Sequence, residues 1–101
     1  MNQVQSFEFT PGLRLRAVEI DGAPWFVAAD VCKVLGHQNV TRDVARHVDP
    51  EDKRTVSVGL RGKAPTAVNE SGLYCLVFGS TKPVARTFRR WVTSEVLPAI
   101  R

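Results

Sequence analysis

"WFVAADVCKVLGHQNVTRDVARHV", residues Trp25 to Val48, reads as an extended end that runs into two short helices broken at Gly36-His37. In the first, about Ala29 to Leu35, Val31, Val34 and Leu35 make an i, i+3, i+4 stripe, and Gly36 suits its end. In the second, Val40, Val44 and Val48 recur every four residues, with Asn39 or Thr41 as candidate caps. Arg42 and Arg46 then point away from the valines, with Asp43 and His47 beside them. Such a pair serves DNA-reading proteins and ordinary cores alike. In the common helix-turn-helix spacing a small residue is followed four later by Gly and six after that by an apolar residue. Cys32 and Gly36 satisfy the first two positions, but the third falls on Arg42, so a standard unit is not supported.

On the N-terminal side, "SFEF" (6–9) is extended up to the turn at Pro11-Gly12, and "LRLRAVEI" (13–20) alternates. Asp21-Gly22 is a hairpin signal, after which "APWFV" resumes extended structure, giving three strands in an antiparallel meander. On the C-terminal side, "DPED" (49–52) makes a turn. "RTVSVGL" (54–60) alternates with Val56, Val58 and Leu60 on one face, and "RGKAP" loops back to "TAV" as a hairpin. Asn69 or Ser71 caps an apolar helix, "GLYCLVF", expected to be largely buried. "GSTKP" precedes a last helix, capped by Ser80 or Thr81, that runs to about Val96 before Pro98 disturbs it. The expected fold is a single α+β domain of 101 residues, with a small antiparallel sheet and about four helices.

The formal net charge is +4, and its distribution says more than its sum. Residues 1–40 carry −1, 41–63 carry +2, 64–79 carry −1 and 80–101 carry +4. On a helical wheel of the last helix, Val84, Ala85, Phe88, Trp91, Val92 and Val96 fall within about −20° to 120°. Lys82, Arg86, Arg89 and Arg90 fall within about 140° to 240°. No acid interleaves with these four cations, so they cannot neutralise themselves through i, i+4 pairs. A solvated helix face is the bland reading; a phosphate-binding face is the functional one. Glu95 falls in the middle of the apolar arc, where burial requires a partner such as an Arg of the N-terminal strands or Arg101.

The two cysteines, Cys32 and Cys75, lie in apolar runs without CxxC spacing, and read as buried reduced thiols. No metal ligand set, phosphate loop or nucleophile motif is present, so neither an enzyme nor a cofactor is expected. No apolar run is long enough to span a membrane, no secretory signal opens the chain, and a cytoplasmic setting is expected.

Together, "WFVAADVCKVLG", "NESGLY", "STKPVARTFRRWV" and "EVLPAIR" occur in order. This resembles the BRO family N-terminal domain, found in prophage antirepressors and in large DNA viruses of insects, over about Phe7 to Arg101. The resemblance implies a DNA-binding α+β domain, encoded by a phage or prophage, at the N-terminus of a longer regulator of transcription. Double-stranded DNA is then the expected partner, met by Arg42 and Arg46 on the second helix, Arg61 and Lys63 on the basic hairpin, and Lys82, Arg86, Arg89 and Arg90 on the last helix. The alternative is a protein-interaction module that binds and inactivates a phage repressor. The first predicts steep salt dependence, the second an exposed apolar patch. A homodimer is compatible with either.

Overall fold

The structure is a computed structural model that describes residues 4–56 and 64–100. Strands β1 (Val4–Thr10), β2 (Leu13–Ile20) and β3 (Ala23–Val27) form the expected meander. Helices α1 (Ala28–Leu35) and α2 (Val40–His47) follow, then a 3-10 turn, Pro50–Asp52. Short strands β4 (Lys53–Thr55) and β5 (Thr66–Val68) make an antiparallel pair, and β5 joins β3. The sheet order is β1-β2-β3-β5-β4. Helix α3 (Glu70–Phe78) and helix α4 (Val84–Trp91) complete the helical layer, followed by a π turn, Val92–Val96, and a last turn α5, Leu97–Ile100. The fold is α+β, as expected.

The turns follow from the residues that make them. Asp21 and Gly22 both take positive φ, as a tight hairpin requires, and Gly36 closes α1 at φ 78°. Asn39 and Asn69 resolve the two capping alternatives: the Asn39 side chain accepts from the Arg42 N–H and the Asn69 side chain from the Gly72 N–H. The core joins Leu15, Ala17 and Phe26 of the sheet to Val31 and Leu35 of α1, Val44 of α2, Leu73 and Leu76 of α3, and Phe88 and Val92 at the C-terminal end. Arg16 ties β2 to α1 through both oxygens of Asp30, at 2.8 and 3.1 Å, and these bonds hold its guanidinium even more firmly charged than usual.

Four expectations are corrected. Ser80 does not cap α4: its hydroxyl donates to the Leu35 carbonyl at 2.8 Å, and α4 begins behind Pro83 without a side-chain cap. Asp43 does not stand beside Arg42 in solvent. It is buried, because His37 in the interhelix break reaches back to it. Phe78 is not buried with the rest of α3 but 76% exposed. Glu95 is exposed and needs no buried partner, because the helix changes pitch ahead of it. The Leu97 N–H bonds the Val92 carbonyl, five residues back. That wider turn lines Val92 up with Leu97 instead of Glu95, so Val92, Val96 and Leu97 are all buried.

The π turn also explains how the chain passes Pro98. Proline lacks an N–H and crowds the carbonyl four residues earlier, which a regular α-helix tolerates poorly. Here the hydroxyls of Thr93 and Ser94 bond back to the carbonyls of Arg89 and Arg90, at the start of the wide turn. The helical path therefore continues through Pro98 to Ile100.

Candidate nucleic-acid interface

The sequence of α4 dictates which side faces the core. Ala85 and Phe88 are buried, Val84 and Trp91 half-buried, while Lys82, Arg86, Arg89 and Arg90 are all exposed. The apolar side is fixed by an aromatic cluster: Phe9 of β1 meets Phe88 edge-on at 5.5 Å and lies 5.0 Å from Trp91, centroid to centroid. A helix held this way cannot roll, so Arg86, Arg89 and Arg90 keep one direction; Lys82, expected on the same helix, instead lies in the loop just before α4. Among the described residues none of the four is ion-paired, which leaves their donors to solvent or a ligand.

The start of this helical segment is packed into the break between α1 and α2. The Lys82 stem lies over Gly36 so closely that a Cβ there would overlap Lys82 Cε. One loop further, a Cβ on Gly79 would fall 2.8 Å from the His47 ring. The His37 and His47 rings meet at a tilt between these contacts, 5.7 Å centroid to centroid. The interhelix break of the opening stretch and the loop before α4 are thus one interlocked unit, and Lys82 is the cation that sits on both.

Arg42 and Arg46 project from α2, which packs on α1 and α3. Both are exposed, but they are not equivalent. Arg42 Nε lies 3.3 Å from Asp43 Oδ1, whereas Arg46 makes no ion pair among the described residues. Arg42 is thus partly neutralised by its own neighbour. Arg61 and Lys63, the expected hairpin cations, lie outside the described residues, as do Val58 and Leu60 of the strand before them.

A model of the BRO family, N-terminal domain, matches residues 14–98. The chain belongs to that family. The match runs from β2 to Pro98, so this Bro-N domain includes helices α1 to α4, His37 of the break and His47 at the end of α2. A protein of Invertebrate iridescent virus 6 named for its Bro-N domain, 289L, is 37% identical over 100 residues, covering 77% of this chain and 24% of that protein. An uncharacterized protein of Haemophilus influenzae is 36% identical over 104 residues, covering 99% of this chain and 52% of its own. A third relative, 019R of Invertebrate iridescent virus 3, also named for a Bro-N domain, is 29% identical over 103 residues, covering 77% of this chain and 25% of its own. The chain thus spans about half the length of the bacterial relative and about a quarter of the viral ones. No solved structure matches it.

Two features of this Bro-N domain escaped the sequence reading. One is a groove between α3 and α4, about 360 Å³, lined by Tyr74, Phe78, Arg89, Arg90 and Thr93. A signal for it existed: Leu73, Leu76 and Val77 form the buried i, i+3, i+4 stripe of α3, and Phe78 falls outside that stripe. The other is the pairing of Asp43 with His37, which joins the end of one helix to the next and leaves no periodic trace. No helix of the described residues is long and apolar enough to cross a membrane.

Proposed function

We propose that this Bro-N domain binds duplex DNA, as part of a phage or viral regulator of transcription, and performs no catalysis. The observation that carries the reading is the α4 face: three exposed arginines, unpaired among the described residues, on a helix locked by aromatic packing, with exposed Lys82 just before it. Such a face has the charge to meet a phosphate backbone, where arginine donates two parallel hydrogen bonds and lysine a point charge. In this reading Lys82, Arg86, Arg89 and Arg90 grip phosphates, and Arg46 with Arg42 meets base edges or further phosphates from α2.

The alternative, a module that captures a repressor protein, calls for a contiguous apolar patch. Val4 and Phe78 are the only large hydrophobic side chains exposed among the described residues, which favours the DNA reading. The test is anisotropy of a fluorescent random duplex titrated with the domain at ~50 mM and ~200 mM salt. Affinity that falls steeply with salt is expected. Absence of binding at the lower salt returns the repressor-capture reading to first place.

A further inference from the structure

Phe78 ends α3 with its ring 76% exposed, although every other large apolar residue of that helix is buried or half-buried. Leaving a phenyl ring in water forgoes the gain of burying it, so its position invites a partner. The ring forms a wall of the α3–α4 groove, across from Arg89 and Arg90, with Tyr74 and Thr93 completing it. The groove volume, about 360 Å³, suits a small planar group with a substituent at the mouth. Among the described residues no carboxylate lines it. Glu70 is the nearest acid on the same helix, and it accepts from the Tyr74 hydroxyl at 3.4 Å, steadying that ring.

We propose that this groove takes one unpaired nucleobase, stacked on Phe78, with its neighbouring phosphates on Arg89 and Arg90. The proposal rests on the reading of α4 as a DNA-binding face and adds a base contact to it. An exposed aromatic ring beside two guanidinium groups is the combination that single-stranded sites use, stacking for the base and charge for the backbone. Paired bases within a duplex keep their faces covered by neighbours, so the ring meets a base face only where a base is unpaired or swung out. An uncharged apolar peptide leaves the two arginines without a function.

The groove has little means of telling bases apart. The Thr93 hydroxyl donates to the carbonyls of Arg89 and Arg90, both at 3.1 Å, and is occupied there. Stacking is then the main recognition, which is tolerant of base identity. Thr93 also lies within the π turn, Val92–Val96, a local irregularity often found at functional positions.

The experiment compares three labelled probes of one sequence: an intact duplex, the same duplex with one unpaired thymine, and the single strand. They are titrated with the unchanged protein, Phe78→Ala and Phe78→Trp at one salt concentration. The unchanged protein should prefer the unpaired base over the intact duplex by roughly ten-fold, the size of one base–aromatic stack. Phe78→Ala should lose that preference while binding the intact duplex as before. Phe78→Trp should keep it, with indole emission, corrected for Trp25 and Trp91, quenched by the unpaired-base probe. An unchanged preference in Phe78→Ala overturns the proposal. So does an equal loss on intact and interrupted duplexes, or an effect confined to self-association in sedimentation. If the unchanged protein binds intact duplex without preferring the unpaired base, this inference alone fails. If it binds none of the probes, the DNA reading fails with it.

Discussion

His37 and Asp43 meet across the break between α1 and α2, with Nδ1 of the ring 3.4 Å from Asp43 Oδ2. The ring's other nitrogen, Nε2, bonds the Leu76 carbonyl at 3.0 Å, and since a carbonyl only accepts, Nε2 donates there. One side chain in the break therefore fixes α2 to α3. Asp43 has lost nearly all its contact with water, at 6% exposure, so it depends on His37 and Arg42. Replacing His37 with Ala removes one of these partners and leaves the Leu76 carbonyl without its donor. The expected loss is about 1–3 kcal/mol, the scale of buried polar groups left without their hydrogen bonds, read as a lower urea midpoint. Asp43→Asn should cost less, because an amide retains hydrogen bonding without a buried charge.

The same contact separates the two arginines of α2. Arg42 shares Asp43, and its guanidinium is held to its own helix, whereas Arg46 carries no such tether among the described residues. Arg46→Ala should change the preference between a selected binding sequence and random duplex, with a loss of about 1–3 kcal/mol on the selected one. Arg42→Ala should have the smaller effect. Binding selection on both variants decides it, and equal losses on selected and random duplexes reduce Arg46 to a phosphate contact.

Much of the fold is legible in the residues because its signals are local. Asp21-Gly22, Gly36 and the two Asn caps each specify a backbone turn within a few residues. The valines of α2 and the two faces of α4 are set by helical period. What period cannot reveal is a change of period. The wheel assumes 100° per residue, so it places Glu95 inside, and the π turn puts Glu95 in solvent and Leu97 in the core instead. Asp43 is hidden from sequence for another reason. Its burial depends on His37 and on the approach of α3, which are contacts of the tertiary fold.

Cys32 supplies a pH test of the core. Burial, reinforced by the nearby Asp43 carboxylate, pushes its thiol up to about 11. A thiol whose pKa is raised on folding binds its proton more tightly in the native state. Its contribution to stability is complete below the ordinary thiol range and is lost as pH rises towards 11. The urea midpoint should therefore fall between pH 8 and pH 10.5, and Cys32→Ala should flatten part of that fall. Iodoacetamide at pH 8 should leave Cys32 unmodified until the protein unfolds. Rapid native labelling of Cys32 contradicts this account.

Gly72 should prove far less replaceable than Gly36. A Cβ on Gly72 meets Val68 Cβ at 2.9 Å, the Asp52 carbonyl at 3.0 Å and Val48 Cγ1 at 3.0 Å, none of which can swing aside. A Cβ on Gly36 meets only the flexible Lys82 stem, leaving the strain of its positive φ, about 1 kcal/mol. Gly72→Ala should cost more than Gly36→Ala, by roughly 1–3 kcal/mol of overpacking. Thermal denaturation of the two variants side by side checks the order. Gly36→Ala carries a second expectation, since it displaces Lys82 from the break: a small loss of DNA affinity with little loss of fold.

The α4 face is tested by charge and by orientation separately. Arg86→Ala, Arg89→Ala and Arg90→Ala combined should weaken binding to all duplexes alike and make the salt dependence shallower by about 2.7 in log–log slope, on the order of 0.9 per phosphate. These side chains are exposed, so the triple variant should melt within a few degrees of the unchanged protein. Phe9→Ala reaches the same face from behind. It removes the ring that meets Phe88 and Trp91, and should cost about 1–3 kcal/mol in stability. It takes away no cation, so at temperatures where it stays folded its salt slope should match that of the unchanged protein while its affinity falls modestly. If instead the triple variant binds duplex at ~50 mM salt as tightly as the unchanged protein, the cations of α4 are a solvated surface. The duplex contact must then be sought on α2.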